Sequence, residues 1–416
     1  MLKVVSSEPS EFNLEEMIRT GVREMLMTAL EAEVSEYIEK FKGQVDEKGH
    51  RQVVRHGYGK SRSVTTSVGS VTVNAPRVND KRDGDKFISR VLPPYLRSSA
   101  KVESLIPALY LRGLSTGKIC ETLKEYFEGE GSMGLSPATV SKLLKSWEKD
   151  FEQFKHRKIT KKYVYLWADG VNVKVRLGDD KKVCLLVIVG VTESGNKELL
   201  AVEDGWRESK ESWGSILRGL VSRGLTAPLL AIGDGALGFW SALRDIEEFE
   251  RTKEQRCWVH KIANVLNKLP KRVQPEAKRL LHEMMMAPDL SSAEAAKNNF
   301  SESLSSKYKP AVDCLEKDWE KLTPFFNYPA KHWTSIRTTN PIESAFATVK
   351  LRTKSTKGSG SPKMAATLAF KLLQEAEKKW RRIRGHEEIQ NLLDGVDYKD
   401  GLVVATDSAD HEAAAG

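Results

Sequence analysis

Apolar residues recur at helical spacing at Leu14, Ile18, Val22, Leu26, Leu30, Val34 and Ile38, and Asn13 with Glu16 makes a capping box ahead of them. This pattern predicts an amphipathic helix. Its stripe serves either packing against the rest of the chain or a dimer contact. From His50 to Arg62 the periodicity gives way to Arg51, Arg55, Lys60 and Arg62 with two glycines, followed by alternating runs at 63–66 and 70–73 around Val68-Gly69. That reads as a basic arm leading into a β-hairpin.

After Pro93-Pro94 helical spacing returns from Ala100 to about Phe154, interrupted by a Gly-rich turn at 128–134. Leu114-Ser115-Thr116-Gly117 starts one helix. Ser136-Pro137-Ala138-Thr139 starts another, with Ser at the N-cap and Pro in the first helical position. The pair resembles a helix-turn-helix whose second helix presents Thr139, Lys142 and Lys145 outward and turns Val140, Leu143 and Leu144 inward. An ordinary helical hairpin with solvated lysines fits the same pattern.

From Tyr163 the pattern changes to short apolar runs at 163–168, 171–177, 183–191 and 198–202, with Gly195-Asn196 as a hairpin turn. These predict strands. A helix over 210–222, a buried strand over 228–232 and a helix from Ala236 to about Ile246 follow. Residues 259–328 are almost wholly helical in pattern. A last helical region opens at Asn340 and continues beyond Gly358-Ser359-Gly360 as a long helix ending near Arg384. The acidic, Ala-rich stretch after Gly401 is expected to be disordered.

At 416 residues the chain has room for two to three domains. It contains no run of eighteen apolar residues and no signal-peptide pattern, so the expectation is a soluble cytoplasmic protein with no membrane partner. Cys120, Cys184, Cys257 and Cys314 show no CxxC spacing, which argues against a disulfide framework and against a four-cysteine zinc site. The net charge of +9 matters through its distribution: residues 350–384 hold eleven Lys/Arg against two Glu, an excess equal to that of the whole chain.

Two aspartates each follow an apolar run and precede a glycine, in Trp167-Ala168-Asp169-Gly170 and Ile232-Gly233-Asp234-Gly235. A strand end fixes the backbone and lets the carboxylate leave the sheet, and the glycine gives a bulky polyanion room to approach. A lone Asp-Gly is more often a simple turn. Asp204-Gly205 is such a competitor, less apolar in its approach. Two Mg²⁺ ions about 3.5–4 Å apart need bridging and terminal oxygens, so a third carboxylate is required. Glu343 is the candidate, in Thr339-Asn340-Pro341-Ile342-Glu343, where Asn340 would cap a helix and Glu343 could equally complete a capping box. Lys350 lies two turns along the same face, placed to hold a phosphate, and Arg352, Lys354 and Lys357 extend the basic patch.

Cys257 and His260 form a Cys-x-x-His pair with no second Cys/His pair nearby, which favours a structural role over zinc. The aromatic stretch 319–333 suits core packing better than stacking on unpaired bases.

With these residues in hand, the chain resembles the Mutator-like insertion-sequence transposases of prokaryotes from about His50 to about Arg384. The stretches 105–117, 163–170, 232–236, 256–261 and 338–343 carry the likeness. The resemblance matches Asp169, Asp234 and Glu343 to the three catalytic acids and metal ligands, and Cys257 with His260 to a Cys-x-x-His signature after the second acid. It implies an α/β RNase H-like catalytic core with an all-α insertion, preceded by a mainly α-helical N-terminal DNA-binding region with a small β-hairpin. It further implies a homodimer that binds terminal inverted repeats and target DNA, and that cleaves and joins strands with Mg²⁺, Mn²⁺ also serving.

The divisions expected are an N-terminal helix at 1–48, a basic arm and hairpin at 49–98, and a helical DNA-binding domain at 99–158. The core would occupy 159–260 and 338–390 around an insertion at 261–337, with a disordered tail at 391–416. A structure-specific nuclease with the same metal chemistry and a catalytically dead DNA-binding repressor are the alternatives.

Overall fold

The fold follows from where the chain alternates, where it repeats at helical spacing, and where glycine lets it turn. A computed structural model describes residues 13–126, 137–176, 182–205, 207–235, 237–355 and 358–404. The chain divides into two compact units after Ser146.

In the first unit, helix α1 (Leu14–Lys40) begins where Asn13 accepts a hydrogen bond from the Glu16 backbone N–H, the expected cap. Its middle packs by Val22, Leu26, Met27, Leu30 and Val34 around Val64, Val71, Val73 and Leu92, so packing is one use of the stripe. Those valines belong to the hairpin. Strands β1 (Val53–Tyr58), β2 (Arg62–Thr66), β3 (Gly69–Val73) and β4 (Pro76–Asp80) follow, and β2 pairs with β3 in the register Thr66↔Gly69. The basic arm is strand as well: β1 pairs antiparallel with β4, an unexpected second ribbon.

Short helices α2 (Ala100–Glu103) and α3 (Leu105–Leu111) lead to α4 (Thr116–Tyr126) and α5 (Pro137–His156), which contains the point of division. Val102, Ile106, Ile119, Leu123 and Val140 form a small core with Leu143 and Leu144 against it, and Lys142 and Lys145 are exposed. The expected turn at 128–134 and the Thr139 side chain lie outside what is described.

The second unit carries a five-stranded mixed sheet, ordered β7-β6-β5-β8-β9, from β5 (Tyr163–Lys174), β6 (Lys182–Thr192), β7 (Lys197–Gly205), β8 (Leu230–Gly233) and β9 (Lys253–Arg256). The first three are antiparallel, and β8 and β9 run parallel to β5. The crossings are helices α6 (Lys210–Ser222) and α7 (Leu237–Arg244). They bury Trp213, Leu217, Phe239 and Trp240 against Leu166, Ala168 and Leu186 on one sheet face.

From α8 (Trp258–Leu266) to α12 (Trp333–Ile336) the chain is helical, through α9 (Gln274–Met286), α10 (Leu290–Glu316) and α11 (Trp319–Leu322). Phe325 and Phe326 stack, Trp333 meets both edge-on, and all three are buried, so this aromatic stretch is core. It is bolted to β5: the Tyr165 hydroxyl bonds His332 Nδ1 at 2.7 Å, His332 Nε2 bonds the Gly385 carbonyl, and Trp167 Nε1 donates to the Ser335 carbonyl.

Helices α13 (Asn340–Ser355) and α14 (Pro362–Glu377) come next. The long helix expected to reach Arg384 stops at Glu377, so Lys378 and Arg382 lie beyond it. Part of the expected tail is ordered: α15 (Ile389–Leu393), β10 (Tyr398–Lys399) and β11 (Leu402–Val403) lie against the helical region. Gly401 exchanges backbone bonds with Phe326 and Ala330, and Asp400 accepts from the Leu290 N–H. A segment of unremarkable composition is thus held by main-chain bonds that no local pattern announces.

Candidate active site

Strand β5 does not end at Asp169, as the Asp-Gly pair suggested, but continues through it to Lys174. What ends there is the parallel pairing with β8, whose last register is Ala168↔Gly233. Asp169 and Asp234 are the next residues on each strand, side by side where the sheet opens. The room beside their glycines is taken by the protein's own side chains: a Cβ on Gly170 would strike the Glu208 carboxylate, and one on Gly235 the Arg256 guanidinium.

Pairing of β8 with β9 likewise ends at Gly233↔Arg256, and the Cys257 N–H continues the ladder to the Gly233 carbonyl at 2.8 Å. Gln255, fully buried, donates to the Leu322 carbonyl and accepts from the Phe325 N–H. Asp318 pairs with both Arg256 and the buried Lys261. These bonds fix the turn from β9 into α8 and set His260 in front of the sheet.

Helix α13 starts at Asn340, with Thr339 just ahead of it. Glu343 does not close a capping box: its Oε1 accepts from the Thr339 hydroxyl at 2.6 Å. His260 stands between the acids, with Nε2 4.0 Å from Asp234 Oδ2 and Nδ1 3.8 Å from Glu343 Oε1. Residues separated by more than a hundred positions thus meet on one imidazole.

The electrostatics follow from burial and mutual repulsion. Burial pushes the Asp169 carboxyl up to about 7, opposed by the Gly170 N–H and His260 and assisted by Glu343 and Glu208. Glu208 is also raised, by burial and then by Asp234. His260 is raised to about 9, first by the adjoining Cys257 sulfur and then, against the effect of burial, by Asp234 and Glu343. Four carboxylates therefore share a half-buried site with one imidazole, an excess of negative charge that favours a bound cation.

Sequence reasoning missed Glu208. It follows the turn out of β7, where Arg207 takes a left-handed φ of 56°, and no local pattern separates it from a surface glutamate. Asp204 is exposed at the far strand of the sheet.

Of the basic residues expected beside the site, Lys350 and Lys354 are exposed on α13, whereas Arg352 is buried, 5% exposed, among Val173, Val349 and Leu368. Arg352 is therefore removed from the surface patch, because the helix turns that face onto β5 and α14. Lys357 lies outside the described residues.

The family model for the Mutator family of transposases matches residues 2–383. The chain belongs to this family. Among its relatives, the transposase for insertion sequence element IS6120 of Mycolicibacterium smegmatis is 46% identical over 304 residues, covering 73% of this chain and 93% of that one. The transposase for IST2 of Acidithiobacillus ferrooxidans is 48% identical over 275 residues, 66% of this chain and 92% of the relative. The transposase for IS256 in Tn4001 of Staphylococcus aureus is 28% identical over 360 residues, 84% and 88% of the two chains. As a Mutator-family transposase the chain acts on DNA, and no helix among its described residues is long and apolar enough to cross a membrane.

Proposed function

We propose that this transposase is of the three-acid, metal-dependent kind, with Asp169, Asp234 and Glu343 as the ligands of divalent ions and Glu208 as a further carboxylate beside them. The observation that carries this reading is the meeting of Asp234 and Glu343 on the two ring nitrogens of His260. The sheet order, with one acid on the central strand and one at the end of the adjacent parallel strand, supports an RNase H-like core.

The donor set tests the choice of ion. Carboxylate oxygens suit Mg²⁺ or Mn²⁺. Among the described residues, Cys257, His260 and Glu343 also bring ligand atoms within 4.8 Å of one another. The thiol that sets this group apart is fully buried, and Cys257 Sγ already accepts from the Thr339 N–H. The oxygen set therefore fits better.

A pair of such ions, when bound, activates the attacking oxygen and neutralises the leaving one. The protein's own part is to hold the acids and the DNA. Asp169 and Asp234 are fixed by the sheet, Glu343 by α13, and the exposed Lys350 and Lys354 follow Glu343 along that helix to grip phosphates. Under this reading no serine, tyrosine or histidine attacks the DNA. The relatives are named as transposases of insertion sequences, and on this reading the substrate is the terminal repeats of such an element, joined to target DNA by a homodimer. α5, with Lys142 and Lys145 outward, is the candidate for reading the repeats.

The experiment is to incubate purified protein and Mg²⁺ with DNA carrying the element's ends and to map nicks and joined strands at nucleotide resolution. Nicks at the ends with transferred 3′ strands are expected. Cleavage that persists in EDTA, or a covalent protein–DNA adduct, would overturn the reading.

A further inference from the structure

Thr339 is fully buried just before α13, where a threonine ordinarily caps by accepting a backbone N–H of the first turn. Its hydroxyl is used otherwise. It donates to Glu343 Oε1 at 2.6 Å, and the same oxygen lies 3.2 Å from Cys257 Sγ and 3.3 Å from His260 Nδ1. A hydroxyl has one proton to give. The short contact to a carboxylate takes it, which turns the oxygen lone pairs toward the cysteine and histidine. The Thr339 N–H meanwhile donates to Cys257 Sγ at 3.3 Å, so backbone and side chain both grip the signature.

The other end of that signature is tied to the opposite acid. Cys257 donates its N–H to the Gly233 carbonyl, one residue before Asp234, and the Trp258 N–H bonds the Arg337 carbonyl, two residues before Thr339. The turn from β9 into α8 is thus a strut with Asp234 at one end and Glu343 at the other.

Building on the metal-site reading above, we propose that Thr339 is the positioning residue that transmits this strut to Glu343, selecting the carboxylate rotamer that faces Asp169 and Asp234. The Cys-x-x-His pair then acts through the Thr339 hydroxyl. Helix α13 forms without that hydroxyl, but its Glu343 is free to turn toward solvent.

The test compares Thr339→Val, Thr339→Ala and Thr339→Ser with Glu343→Gln in the full chain. Mn²⁺ binding is read by electron paramagnetic resonance without DNA, and the Mg²⁺ concentration for half-maximal cleavage is measured separately. Valine and alanine should each weaken Mn²⁺ binding and raise the Mg²⁺ requirement by about 10-fold or more, while serine stays within about 2-fold of wild type. Alanine guards against a misfolded valine variant, and DNA affinity should hold in all four. Wild-type Mn²⁺ binding in both hydroxyl-free variants, with Glu343→Gln defective, overturns the role of Thr339 alone. Wild-type behaviour in Glu343→Gln overturns the metal role of Glu343 and the inference with it.

Discussion

Lys261, only 2% exposed, is ion-paired with Asp318, and the same carboxylate holds Arg256 on its other oxygen at 2.5 Å. Burial opposes the charge on Asp318, but Lys261 and Arg256 outweigh it and hold the carboxyl below its usual range. Its stabilising contribution is therefore present above the ordinary carboxyl pKa and lost as acid titrates the folded state. Asp318→Asn leaves the buried Lys261 and the half-buried Arg256 facing a neutral amide and should cost about 3 kcal/mol. Chemical denaturation checks this, and a loss under about 1 kcal/mol would mean that water reaches the cluster.

Asp234→Asn should abolish strand cleavage while DNA affinity is preserved, because α5 is untouched by the change. Cleavage and gel-shift assays on the same preparation separate the two. A wild-type cleavage rate with Mg²⁺ would remove Asp234 from the metal site.

Asp169 gives a pH signature. The folded protein keeps its proton up to about 7, whereas the unfolded chain releases it near 3.8, so metal-free stability should fall as pH rises between those values. His260, held at about 9 against an ordinary 6.5, contributes stability that is present below 6.5 and lost toward 9, which adds to the decline. Asp169→Asn removes the first effect. It should be more stable than wild type by up to about 4 kcal/mol at pH 8 without metal and nearly indistinguishable near pH 4. Thermal melts in EDTA decide it, and added Mg²⁺ should narrow the gap.

Lys350→Ala with Lys354→Ala should weaken cognate and unrelated DNA alike and reduce the log–log salt slope by roughly one unit per lost contact. Arg352→Ala should instead lower the melting temperature and leave the slope unchanged, since that guanidinium is packed inside. Titrations across a salt series distinguish the two. A cognate-only loss in the lysine pair would mean that α13 reads bases.

What was legible in the sequence was local. The apolar approaches to Asp169 and Asp234 mark strands because burial on both sides demands continuous hydrophobic runs, and Asn340-Pro341 marks a helix start. What was illegible was relational. Strand β9 reads Lys-Glu-Gln-Arg and has no apolar pattern; it is a strand because β8 offers an unpaired edge and because Gln255 finds partners in the 322–325 segment. The pairing of β1 with β4 also depends on a distant partner. Glu208 acquires its setting only when the turn after β7 folds over Gly170. Arg352 looks like its basic neighbours until the rotation of α13 is known.

The hairpin of β10 and β11 has a consequence for the chain as it is made. All three acids leave the ribosome before Gly401, yet Gly401 and Asp400 are what tie down Phe326, Ala330 and Leu290 in the segment between the second and third acids. A product that terminates early, after Arg384 for instance, carries every acid and lacks the clasp. Chain termination before Asp400 should therefore yield a protein that keeps the three proposed metal ligands and has its scaffold unfastened.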